Sequence, residues 1–196
     1  MLWRKDVDVL EDVGKQLDDL EREVSAVYSS LVLPTWQKEM HGLPQTLYGY
    51  MMQVFAFIDL LSAYWKGTEK DQSKRMLDFM STYMRTTPEA NSVAIQIWRH
   101  KLMHTAQPRR LQDARTSKKY HWLLHWHEHL PEEQHYTFSS TNDTRILNVG
   151  LMYLIKDLRD ALKKYETELL ISDELQAKFL KFHTELNSYE YRDIAP

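Results

Sequence analysis

Residues 46–65 read TLYGYMMQVFAFIDLLSAYW, a stretch apolar on every side of a helix apart from Gln53, Asp59 and Ser62. A helix of this kind must be covered all round, and that demand governs the rest of the chain. A bilayer would satisfy it, but Gln53 and Asp59 sit inside the stretch and no second span follows, so a membrane protein is not expected. The reading is a central helix of a bundle, closed at its end by Gly67. Asp59 then needs a partner, because a lone buried carboxylate is costly.

The covering helices are legible from periodicity. In residues 4–31, Leu10, Val13, Leu17, Leu20, Val24, Val27 and Leu31 alternate three and four apart. That is a coiled-coil-like seam, suited to a bundle helix or to pairing two chains. Pro34 ends it, and the chain to Pro44 reads as a loop. Residues 71–85 turn Met76, Leu77, Phe79, Met80, Tyr83 and Met84 inward. These methionines suit core gaps better than a metal. Thr87 can cap the next helix with Pro88 at its first position, and Val93, Ala94, Ile97, Trp98 and Leu102 can be buried. In the last third, Leu151, Ile155, Leu158, Leu162, Tyr165 and Leu169 form one stripe, and Leu175, Phe179, Phe182, Leu186 and Tyr189 another. Ser172 before Asp173 and Glu174 signals a cap between them.

Only 5 glycines and 6 prolines in 196 residues favour long helices over many short strands. Between the helical parts the period changes. Arg109, Arg110, Arg115, Lys118 and Lys119 form the one basic run, opposed only by Asp113. Trp122, Leu124 and Trp126 then alternate with other residues, residues 131–133 read as a turn, and residues 135–138 alternate again. The expectation is a basic loop and a small β-hairpin inserted at about 106–140. The fold class expected is all-α: one domain over residues 1–196, an up-and-down bundle of five or six helices carrying that hairpin.

With no cysteine, thiol catalysis, disulfides and cysteine metal sites are excluded. The net charge of −3 is small, so any nucleic-acid site must be a local patch. The first residues are charged and lack the apolar core of a signal peptide, which makes the cytoplasm the expected compartment. No phosphate-binding glycine loop, nucleophile elbow, zinc-protease motif or dinucleotide fingerprint occurs.

The densest chemistry lies in residues 87–107, which end a buryable helix with Arg99, His100, Lys101, Leu102, Met103 and His104. On an ideal α-helix, five steps leave Arg99 and His104 about 140° apart. Either the helix loosens there or a second copy of the chain completes the site. Histidine serves as acid or base near neutrality, and arginine offers phosphate a permanent planar charge. The competing reading pairs Arg99 with Asp59 as a buried structural ion pair, leaving His104 at a helix end. A second cluster, His125, His127 and His129, would share one face of a strand, with His121 further along. Such imidazoles suit zinc, copper or nickel, but a solvated row opposite Trp122, Leu124 and Trp126 is the simpler reading, and no metal or other cofactor is expected.

An arginine followed by a polar residue, then a histidine five positions after the arginine, at the end of a buried helix, resembles the HEPN superfamily. Arg99, His100 and His104 match that motif. The likeness covers roughly residues 2–105 and the final helices, and the 106–140 insertion departs from it. The resemblance implies a helical bundle that dimerises with the motif at the interface. It implies a metal-independent endoribonuclease of a defence or stress setting, cutting single-stranded RNA through Arg99 and His104 with His100 assisting. The basic run Arg109, Arg110, Arg115, Lys118 and Lys119 would hold the RNA. The same resemblance allows a non-catalytic binding or scaffold protein that dimerises through the motif helix. A metal-binding role for the hairpin histidines is the third possibility.

Overall fold

The apolar stretch forms α2, Thr46–Lys66, at the centre of a computed structural model that describes residues 8–32, 46–102, 108, 110–125 and 130–188. Leu47, Met51, Val54, Phe55, Ile58, Leu61 and Tyr64 of α2 are fully or almost fully buried. Each large apolar side chain withdrawn from water contributes roughly 1.5–3 kcal/mol. The cover is not complete: Gly49, Gln53 and Ala56, spaced four and three apart, leave one stripe of α2 exposed. Gly67 ends α2 with φ +74°, a conformation that favours glycine.

Among the described residues there are five other α-helices, four of them packed against α2. In α1, Asp8–Val27, the seam residues Leu10, Val13, Leu17, Leu20 and Val24 are buried. The chain then widens into a π-helical turn, Tyr28–Val32, and Tyr28 rather than Val27 takes the next buried place. Helix α3, Gln72–Tyr83, turns Met76, Phe79, Met80 and Tyr83 inward. Helix α4, Pro88–Ala94, begins as its sequence indicates: Thr87 accepts the Ala90 N–H at 3.3 Å, and Pro88 occupies the first turn. It passes without a break into a π-helical segment, Ile95–Leu102. Helices α5, Leu151–Ile171, and α6, Asp173–Leu186, meet at Ser172, whose hydroxyl accepts the Leu175 N–H at 3.3 Å. Among the described residues no helix is long and apolar enough to cross a membrane.

The all-α expectation is overturned by the middle of the chain. Strands β1, Leu111–Gln112, β2, Lys119–His125, β3, Thr137–Thr141, and β4, Thr144–Gly150, form a four-stranded sheet in the order β1-β2-β4-β3. The molecule is mostly helical but α+β. Nor, among the described residues, do the two alternating runs of the expected hairpin pair with each other, since β2 and β3 are not neighbours. There are two hairpins, β1–β2 and β3–β4, joined by parallel pairing of β2 with β4. In the first, Asp113 Oδ1 accepts the N–H groups of Arg115 and Thr116 at 2.8 and 2.7 Å, and Ser117 takes a positive φ. In the second, Asn142 takes the positive φ of a two-residue turn. The turn expected at residues 131–133 is a short 3-10 turn, Glu132–Gln134, outside any hairpin.

Register separates the two faces of the sheet. Tyr120, Trp122 and Leu124 of β2 and Leu147 and Val149 of β4 point to the helices. Trp122 meets Trp98 with ring centroids 4.8 Å apart and Tyr48 at 5.6 Å, tying the sheet to the segment after α4 and to α2. Arg145 lies 4.1 Å over the Phe138 ring and bonds Glu89 of α4, which also accepts from Tyr120 Oη at 3.1 Å. At Gly150 the chain turns straight into α5. A Cβ there would come within 2.7 Å of the Tyr153 ring, so this close approach requires glycine.

Candidate functional site

Asp59 projects from α2 and is met by two guanidinium groups. Arg75 of α3, with its side chain only 4% exposed, donates Nη2–H to Oδ1, and its Nη1 reaches the Asp59 carbonyl and the Ser62 hydroxyl. Its Nε donates to the Glu69 carbonyl at 3.3 Å. Arg99, from the π-helical segment, donates Nε and Nη2 to Oδ2, both at 3.3 Å. Gln72 adds a third donor to the same oxygen. One carboxylate thus ties α2, α3 and the motif segment together. Next to it, His100 Nε2 lies 2.8 Å from the Ser73 hydroxyl.

Asp59, Gln72, Arg75 and Arg99 line a cleft of about 510 Å³. Lys70, Arg75 and Arg99 are set there against Asp59 and Glu69, three cations against two carboxylates. The balance favours an anion, but most of the positive charge is matched inside the chain. Asp59 and Arg99 keep 17% and 18% of their side-chain surface, so the cleft reaches them from outside.

The π winding bears on the motif directly. An α-helix stacks residues three or four apart, whereas i→i+5 bonding stacks residues five apart on one face. Arg99 and His104 are five apart, and the described winding extends through Leu102. His104 itself lies outside the described residues.

The structure divides the basic run. Arg109 lies outside the described residues, and Arg115 is exposed at the tip of the first hairpin. Lys118 acts on Glu89, on the helix side of the sheet, where its charge helps lower the Glu89 pKa. Burial there works the other way, but the hydrogen bonds from Arg145 and Tyr120 outweigh it with the help of both cations. Arg110 and Lys119 line a different cleft, of about 590 Å³, on the outer face of the sheet.

His125 also lies on the outer face, with Nε2 3.3 Å from Asn148 Oδ1, while Leu123 between the histidines is 45% exposed. Trp126, His127 and His129 lie outside the described residues. Among the described residues no group of three or more side chains is placed to hold a metal ion.

Sequence reasoning missed Arg75, Gln72 and Ser73. The signal for Arg75 was present: it stands four before Phe79, on the inward stripe of α3, where a cation needs a carboxylate. Asp59, in an apolar helix, needed a cation. Each misfit supplies the other's partner. No family model matches the chain, and no curated protein or solved structure matches it either.

Proposed function

We propose that the chain is a HEPN-like, metal-independent endoribonuclease that cuts single-stranded RNA through Arg99, His100 and His104, in the cytoplasm and in a defence or stress setting. The observation that carries this reading is the π-helical winding of Ile95–Leu102. It is the kind of loosening that lets residues five apart share a face, and π turns recur at functional sites. Cleavage needs a base for the 2′-hydroxyl proton, an acid for the leaving oxygen and positive charge against the phosphorane. The two imidazoles supply the proton roles, and Arg99, held in place by Asp59, supplies the charge. The basic residues after the motif, Arg109 and Arg110 first among them, hold the incoming strand.

In this reading the chain works as a homodimer with the motif segments facing each other. Sedimentation at micromolar concentration then gives twice the chain mass, and a clean monomer would remove the second copy from the site. The activity test is incubation of the purified protein with single-stranded RNA in EDTA. The expected product carries a 2′,3′-cyclic phosphate, and persistence of intact RNA contradicts the reading.

A second reading is favoured by a specific observation. Arg99 bonds Asp59 and His100 lies against Ser73, so these two of the three motif residues have structural work within the chain. In that case the protein is a non-catalytic HEPN-like scaffold or binding module that dimerises through the motif segment. A dimer without cleavage would support it.

A further inference from the structure

The outer face of the sheet carries side chains that the Arg99 cleft does not use. Cross-strand register puts Gln112, Lys119, Thr144 and Thr141 in one row across all four strands. The next row holds His121, Ile146 and Ser139, with Arg110 just before β1. Arg110, Lys119, His121, Thr141, Asn142 and Thr144 line the cleft of about 590 Å³, and no carboxylate among the described residues lines it. The Trp122 N–H donates to His121 Nδ1 at 2.6 Å, so in the neutral ring the proton sits on Nε2, available as a donor. Burial first, then the neighbouring Arg110 charge, holds His121 below its ordinary pKa. Further along β2, Leu123 and His125 follow at intervals of roughly 6–7 Å on the same face.

We propose that this outer sheet face is a binding platform for single-stranded RNA, with phosphodiester groups on Arg110 and Lys119 and bases laid over His121 and Leu123. Charge complementarity selects the occupant: two cations, a ring donor and hydroxyls, with no carboxylate among the described lining residues, fit a polyanion. A ring and an exposed apolar side chain on one face select the single strand, because a duplex hides its base faces while an unpaired strand presents them for stacking. The platform rests on the RNA reading of the Arg99 cleft and adds where the strand is held. It lies on the side of the sheet opposite Trp122 and Trp98, so holding and cutting use different surfaces.

The test is fluorescence anisotropy of the full chain with a labelled 2′-O-methyl oligoribonucleotide, which has no 2′-hydroxyl and cannot be cut. Arg110→Ala/Lys119→Ala should weaken binding at least tenfold. It should also lower the salt slope by about 1.4, since each single-strand phosphate contact contributes about 0.7. His121→Ala should weaken binding without changing the salt slope at pH 7.5, where the ring is neutral, and Lys181→Ala on α6 should change neither. Parent-like binding by the double variant, equal binding of a duplex of the same sequence, or no binding by the parent overturns the platform. Cleavage of ordinary RNA is scored separately. Platform binding without cutting defeats the nuclease reading alone, and cutting with unaltered binding by the double variant defeats the platform alone.

Discussion

In the cleft beside α2 each guanidinium is answered from within the chain. Arg75 is wrapped by Asp59, Ser62 and the Glu69 carbonyl, and Arg99 shares the same carboxylate. On the outer sheet face Arg110 and Lys119 stand exposed in a cleft lined by amides, hydroxyls and a histidine. The contrast separates two uses of positive charge. Where a carboxylate and burial surround a cation, its removal is felt first by the fold. Where solvent and neutral donors surround it, removal is felt by whatever binds there.

The largest stability effect is expected at Asp59. Asp59→Ala leaves Arg75 buried with no carboxylate, and breaking such a pair costs about 3–5 kcal/mol. For a chain of this length each kcal/mol lowers Tm by roughly 2–4 °C. A melt within 2 °C of the parent would erase the distinction between the clefts. Arg99→Ala should cost less, on the order of 1 kcal/mol, because its bonds to Asp59 are long and Arg75 continues to neutralise the carboxylate. A loss as large as that of Asp59→Ala would mark Arg99 as a purely structural residue.

On the sheet the stability effects should nearly vanish. Arg110→Ala and Lys119→Ala should each stay within about 0.5 kcal/mol of the parent in denaturant melts, as exposed substitutions usually do. A larger loss would mean that these cations have work inside the fold. The smallest effect sharpens the geometry itself. Removing the Arg110 charge should raise the His121 pKa, read by NMR titration, and an unmoved titration would place the two groups apart. The sign follows from linkage. His121 has a lower pKa folded than unfolded, so its stability contribution is intact above the unfolded value of about 6.5. It is lost as pH falls from there through the folded value.

These two regions were also unequally legible. The helices announced themselves because Leu10, Val13, Leu17, Leu20 and Val24 repeat a helical period over many turns, and Thr87-Pro88 and Ser172 carry capping chemistry at defined places. The sheet was half visible. Trp122 and Leu124 showed a two-residue period, but β4, Thr144–Gly150, runs directly into α5 at Leu151, so its short run merged with a strong helical pattern. The Asn142 turn was the local sign of the true hairpin. Parallel pairing of β2 with β4 is a long-range contact, and no local pattern carries it. At the site, Asp59 was legible as a charge needing a partner, but Arg75 hid among the methionines of α3. A basic run such as residues 109–119 says nothing of which side chains fall on which face until the strand register is known.

The most direct test of the account is the single-turnover rate of RNA cleavage in EDTA, measured for the parent, Arg99→Ala, His104→Ala and the double variant at matched folded fractions. The parent should cut, and Arg99→Ala should lose on the order of 10²-fold or more, the size expected of an electrostatic stabiliser. His104→Ala should lose about 10²–10⁴-fold as a proton-transfer group. The double variant should be no slower than the worse single one, because residues acting as one unit are not additive. A parent that leaves RNA intact, or folded single variants that cut at the parent's rate, would contradict it.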